Sequence, residues 1–357
     1  MVGSSGGCSL STQRTSGRRD DPRGGGVGVT TAAAFLLERD LTMSVGSRDL
    51  STPGPDEALI HVEWAGLCGS DLHVMRTGEW VVDWPATLGH EIYGRVEDAP
   101  PGSLLERGAP VVADSRIPCG SCAACRDGRS NACAHITFVG EARPGGFASH
   151  CVLPVGLLHQ VPETLDGASA VLAEPLAVAL HALSHLRGEP TRAAVIGHGP
   201  IGALIHIELR RRFPACEVEV AEPTEQRSSL ARSLGSSCAG SAAELREGAF
   251  DVVVDAAGYR GSLGDALRLC AAEAQLVVVA LSEQPVEVKP MQIVEQRLRI
   301  TGSNAFRDEL DTAIELLTHE AWRYEPIVTK AIDLDELPST AQRQLERPDG
   351  VKVLVRP

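Results

Sequence analysis

The stretch Ala193-Ala194-Val195-Ile196-Gly197-His198-Gly199-Pro200-Ile201-Gly202 decides the fold. Its opening residues read as a strand, and a helical pattern follows over Pro200–Arg212. Between them lies Gly-x-Gly-x-x-Gly. Gly197, Gly199 and Gly202 allow a tight turn and let a pyrophosphate approach the helix N-terminus, where partial positive charge collects. A bare motif of this kind is weak, and the bland reading is a glycine-rich turn with no ligand. Here strand and helix flank it, and Glu222 stands 20 residues after Gly202, at the end of the next strand. A carboxylate there accepts hydrogen bonds from adenine ribose hydroxyls and repels a 2′-phosphate. The pattern is therefore a dinucleotide fingerprint that favours NAD over NADP. Arg227 is the counter-signal, since a guanidinium nearby can accept a phosphate.

Outward from this stretch, helices and strands alternate. A helix is expected over 172–186. Strands are expected over 193–196, 218–221, 251–256 and 275–281, with helices over 224–234 and 263–272 between them. That alternation argues for an α/β, doubly wound parallel sheet. Before Pro162 the character differs. Ala58, Ile60, Val62 and Trp64 alternate onto one face, and 111–113 and 146–153 read as further strands among Gly/Pro turns. Residues 30–165 are thus expected to be a β-rich domain, 166–302 a coenzyme domain, and 303–357 a tail with a helix over 310–319. Residues 1–29 are rich in Gly, Ser and Arg, lack a hydrophobic period and read as a disordered extension.

Composition excludes several classes. With 357 residues and 43% hydrophobic content, the chain has globular composition and enough length for two domains. The net charge of −14 argues against nucleic acid as a partner. No apolar run approaches the roughly 20 residues that span a bilayer, and no secretory leader is visible, so a cytoplasmic protein is expected. Lysine is rare: Lys289, Lys330 and Lys352 are the only three.

In that setting clustered cysteines point to metal. Cys119, Cys122, Cys125 and Cys133 offer four thiolates, the closed tetrahedron of a structural zinc site. A chance cluster, a redox pair or an iron–sulfur cluster are the alternatives. A second set is dispersed. Cys68, Ser70, Asp71 and His73 share one short stretch, His90 and Glu91 another, and Glu174 opens the helix of the next region. Cys68, His90 and one or both of Glu91 and Glu174 would suit a catalytic zinc with an open position. Asp71 would orient His90. Ser70 and His73 would pass a proton to solvent.

The strings GLCGSDLH, GHEIYG, CGSCAACRDGRSNAC, AEPLAVALHA and VIGHGPIG, in this order, resemble the zinc-containing medium-chain dehydrogenase/reductase family. The resemblance runs from about residue 30 to the end. Glu174-Pro175-Leu176 is similar to the polyol branch, which includes sorbitol, butanediol and threonine 3-dehydrogenases. It implies a GroES-like catalytic domain interrupted by a Rossmann domain and completed by the C-terminal tail. It implies two zinc ions per chain, NAD contacts at Ile201, Glu222 and Arg227, and a homodimer or homotetramer. It also implies hydride transfer between NAD and a secondary alcohol (a polyol, sugar, cyclitol or amino alcohol) or the matching ketone. The competing reading is a catalytically silent, zinc-stabilised interaction protein that retains the fold. Trp80, Val81 and Trp84 fall where the family's substrate pocket has its wall. Ala272-Glu273-Ala274 departs from the family's usual Gly-Gly turn, and one extra residue lies near Pro214.

Overall fold

The structure is a computed structural model that describes residues 30–357. The extension expected over 1–29 lies outside the described residues. Two sheets organise the chain. One has six parallel strands: Arg192–Ile196, Glu217–Ala221, Ser237–Ala239, Phe250–Asp255, Cys270–Val278 and Arg299–Gly302. Numbered along the chain, their spatial order is 3-2-1-4-5-6. That is the doubly wound order, with a crevice where the direction of winding reverses, beside Arg192–Ile196. Alanines and valines fill these strands: Ala193, Ala194, Val195, Val252, Val253 and Val254 have essentially no exposure. Strands covered on both faces by helices are apolar at their centres, as these six residues are.

The other sheet is mixed and holds seven strands. At its centre Glu57–Leu67 pairs antiparallel with Glu91–Asp98, His150–Pro154 and the C-terminal strand Lys352–Arg356. The tail thus returns to complete the first domain. Phe35, Ile60, Leu153 and Val355 centre its core. A GroES-like domain interrupted by a Rossmann domain is the fold that results. The helical stretch Gly167–Ser184 is apolar and long enough to cross a bilayer, but 83% of it is buried, as befits a core helix.

Several local readings are corrected. The helix expected over 263–272 stops at Leu269, and the next strand begins at Cys270. Cys270 is already extended, with φ −63° and ψ 127°, and pairs with Phe250, while Glu273 further on takes a left-handed φ of 66°. The turn that lacks its glycines keeps the glycine conformation. Residues 146–149 do not join the strand His150–Pro154. They bond instead to other segments: Ala148 bridges Ala34, and Gly146 N and Phe147 N donate to Gly89 O and Leu88 O. The β-rich reading of 30–165 also missed the helix Gly69–Thr77, which carries part of the site.

Candidate active site and metal centres

Strand pairing builds the first centre. Gly66 stands opposite Glu91 on one neighbour and Leu354 on the other. Three chain segments far apart in sequence thus meet beside Leu67. Gly66 must be glycine, because a Cβ there would lie 1.7 Å from Glu91 Oε2. Beyond Leu67, Cys68 caps the helix Gly69–Thr77. The Asp71 carboxylate accepts from Cys68 N at 2.9 Å and from Gly89 N at 3.1 Å, and lies 3.5 Å from His90 Nδ1. Asp71 therefore joins the two motifs as well as facing the imidazole. The donor atoms of Cys68, His90 and Glu91 all lie within 4.8 Å of one another. Burial disfavours the charged form of His90, yet Asp71 and Cys68 outweigh it and raise its pKa well above the usual histidine value.

Glu174 falls outside that set of three. It is buried, accepts from Ser115 Oγ at 2.7 Å, and is pushed up to about 7 by burial against the pull of His90. Glu91 has a partner that the sequence reading missed. Both its oxygens lie 2.6 Å from Lys352 Nζ, and Lys352 also donates to Leu67 O at 3.1 Å. Lysine and glutamate are wholly buried together. The available signal was a rare lysine inside the run Val351-Lys352-Val353-Leu354-Val355.

Ser70 and His73 lie on the helix Gly69–Thr77, three positions apart and so on one face. His73 Nε2 sits 2.8 Å from Glu79, and its ring stacks on Trp80 with centroids 4.5 Å apart. Trp84 and Val81 pack on the core of the first domain, whereas Trp80 is 45% exposed. Of the three wall candidates, only Trp80 presents much free surface.

The second centre brings together Cys119, Cys122, Cys125 and Cys133. The backbone N–H groups of Ser121 and Cys122 draw Cys119 down to about 6, whereas lost solvation and the Cys122 and Cys133 thiols push Cys125 up to about 12. Such crowded sulfurs cannot all ionise together without a cation to share, which is the chemistry of a closed zinc site. Neighbours anchor this lobe. Arg307 Nε donates to Gly128 O at 3.1 Å, and His181 bridges Asn131 and Glu309 at 3.1 and 2.8 Å.

The third centre is the glycine-rich loop. Gly197 has a φ of 86°, and a Cβ on Gly202 would lie 2.0 Å from Gly197 O, so both glycines serve the turn and the close packing of helix on strand. A Cβ on Gly199 would meet only an Arg227 guanidinium nitrogen, at 3.7 Å. That face is open, and Pro200 and Ile201 begin the helix beside it. The loop fits a dinucleotide phosphate. Glu222 is turned inward, accepting from His198 N at 2.8 Å and Thr224 N at 2.9 Å. Arg227 Nε donates to Gly350 O at 2.7 Å, two residues before Lys352.

A Rossmann sheet with its phosphate loop, joined to a GroES-like domain with two metal-ligand sets, defines a zinc-dependent, nicotinamide-linked dehydrogenase. The chain belongs to that family. Residues 54–163 match the alcohol dehydrogenase GroES-like domain, and residues 202–319 match the zinc-binding dehydrogenase domain. It is 30% identical to D-altritol 5-dehydrogenase of Agrobacterium fabrum, over 84% of this chain and 92% of that protein. A zinc-binding dehydrogenase of Sinorhizobium meliloti, solved with NADP, shares 29% identity and superposes with a TM-score of 0.83 over 92% of this chain and all of that one. An alcohol dehydrogenase of Escherichia coli solved with NADH gives 26% and 0.84 over the same shares. The chain is an oxidoreductase of CH–OH donors rather than a silent relic of the fold.

Proposed function

We propose that the chain oxidises a secondary alcohol of the polyol, sugar, cyclitol or amino-alcohol kind, or reduces the matching ketone, with NAD as the preferred coenzyme. The observation that carries this is the convergence of Cys68, His90 and Glu91 donors within 4.8 Å. Cys68, His90 and one or both of Glu91 and Glu174 would hold a zinc, and Cys119, Cys122, Cys125 and Cys133 a second one. A zinc held by the first set would supply Lewis acidity toward a substrate hydroxyl, and a bound dinucleotide would supply the hydride acceptor. The chain's own part is to manage the proton. Ser70 receives it at the inner end, and His73, paired with Glu79 near the surface, delivers it to solvent. Asp71 keeps Cys68 and His90 in register.

Glu222 supports the choice of NAD, since its carboxylate would repel a 2′-phosphate. The four thiols, free in the structure, suit a reducing cytoplasm. The two domains are taken to divide near 165 and 302. A homodimer or homotetramer is the expected assembly.

Metal analysis and absorbance of the reduced nicotinamide, with a panel of polyols and amino alcohols, test the reading. The expected result is two zinc ions per chain and a higher kcat/KM with NAD than with NADP. Cys68→Ser should keep the fold and one zinc and lose turnover. A zinc content near one in the wild type, or full turnover by Cys68→Ser, overturns the site. Equal or better efficiency with NADP overturns the coenzyme preference.

A further inference from the structure

Beneath the phosphate loop runs a buried chain of hydrogen bonds that the chemistry above does not use. His198 Nδ1 lies 3.1 Å from Arg227 O, His198 Nε2 lies 3.0 Å from His206 Nδ1, and His206 Nε2 lies 2.6 Å from Ser236 Oγ. Both rings are wholly buried. Bonding logic fixes the direction of every proton. The carbonyl of Arg227 can only accept, so His198 Nδ1 carries hydrogen. A neutral His198 must then accept at Nε2, so His206 donates from Nδ1. His206 accepts in turn at Nε2, and Ser236 donates its hydroxyl. Every polar atom of the two rings has a partner in this single arrangement.

The chain joins three pieces that frame one half of the coenzyme crevice. His198 is the middle residue of Gly197-His198-Gly199, and His206 lies in the helix Pro200–Arg212 that starts at the phosphate site. Arg227 lies in the helix Glu225–Ser233, and Ser236 follows that helix. At the front, His198 N donates to Glu222, and Gly199 faces the Arg227 guanidinium. At the back, the His198 ring holds the Arg227 backbone. We propose that Ser236, His206 and His198 form a positioning device that sets the spacing between the phosphate loop, Glu222 and Arg227, and so tunes affinity for the adenosine half of the dinucleotide. This rests on the dinucleotide reading above.

The test is binding of ADP-ribose and of NADH to the intact protein by calorimetry. His206→Leu leaves His198 Nε2 and the Ser236 hydroxyl without partners. It should weaken ADP-ribose and NADH together, by roughly tenfold. Binding of nicotinamide mononucleotide should not change, and kcat at saturating NAD should hold while KM for NAD rises. His206→Gln offers an amide N–H to His198 and an amide oxygen to Ser236, so it should restore most of the affinity. Should His206→Leu not fold, judged by its melting curve, Ser236→Ala gives a smaller loss in the same direction. Wild-type affinity for ADP-ribose in folded His206→Leu or, failing that, in Ser236→Ala overturns the proposal. Equal losses in Leu and Gln variants do so too, since bulk rather than bonding would be responsible. A wild-type protein that binds no ADP-ribose removes both this proposal and the dinucleotide reading.

Discussion

At the scale of single residues, the Lys352–Glu91 pair carries the largest risk. Both ends are wholly buried, and the ammonium contacts both carboxylate oxygens and a backbone carbonyl. Burial disfavours the charge on Lys352, yet Glu91 and Cys68 hold its pKa above the usual lysine value. Removing one partner of such a pair strands the other charge, at a cost of about 3–5 kcal/mol. Lys352→Met should therefore melt well below the wild type, and adding Glu91→Gln should recover part of the loss. A Lys352→Met protein as stable as the wild type would show that the pair contributes nothing net. The two buried histidines make a second residue-scale prediction, this time in pH. Burial, as the main cause, holds His198 at about 4 and His206 at about 3. Glu222 and the Arg227 carbonyl pull His198 upward, whereas the Arg227 charge, and for His206 the His198 ring and Arg210, push downward. In the unfolded chain both return to about 6.5. The folded state thus binds fewer protons, so its stability is complete above pH ~6.5 and drains as pH falls toward the folded values. His206→Gln removes one of the groups. Its melting temperature should fall less steeply than that of the wild type between about pH 7 and pH 5, and parallel curves would refute the linkage.

At the scale of elements, the cysteine lobe is the piece with the least protein-made stability. Its helix Ala123–Arg126 buries no residue, and its only sheet is the two-residue pair Arg116–Ile117 with Thr137–Phe138. Lacking a core, the lobe depends on the cation that four thiols would share. Cys122→Ser, or a strong chelator, should open the segment to protease between about residues 118 and 136 while both sheets stay resistant. Unchanged resistance of that segment would mean that no structural zinc holds it. Such a lobe is legible in sequence, because the spacing of its cysteines is its structure. So is the Rossmann half, whose strands and helices are each set by a local period and a local turn. What was not legible depends on pairing over distance. Lys352 and Glu91 meet 261 positions apart, through two strands that flank Gly66. The helix Gly69–Thr77 escaped because its apolar side is short, no more than Leu72, Val74 and Met75, and its start is fixed by Asp71 bonding to Cys68 and Gly89. His206 and Ser236 carry no motif at all, and only the fold sets them against His198.

At the scale of the whole molecule, the six-stranded sheet ends at Arg299–Gly302, which pairs on one side only, with Cys270–Val278. A free edge strand exposes unpaired N–H and C=O groups, and proteins usually blunt it with charge, proline or a covering element. Here the strand carries Ile300, which is 41% exposed. The adjoining helix Pro290–Gln296 buries no residue and presents Met291 and Val294, with Leu281 on the preceding loop also exposed. An open sheet edge with exposed apolar side chains on it and on the helix before it fits a contact with a second copy of the same edge. Such a contact is self-complementary and closes with twofold symmetry, so it ends at a dimer unless another surface extends it. The prediction is that the protein scatters light as a dimer or a dimer of dimers at micromolar concentration. Ile300→Lys combined with Val294→Lys places like charge on both halves of the contact and should yield monomers. Each monomer should still bind ADP-ribose, because the glycine loop lies beside Arg192–Ile196, three strands inward from that edge. A wild type that is monomeric at those concentrations, or a doubly charged variant that stays dimeric, would place any association on another face.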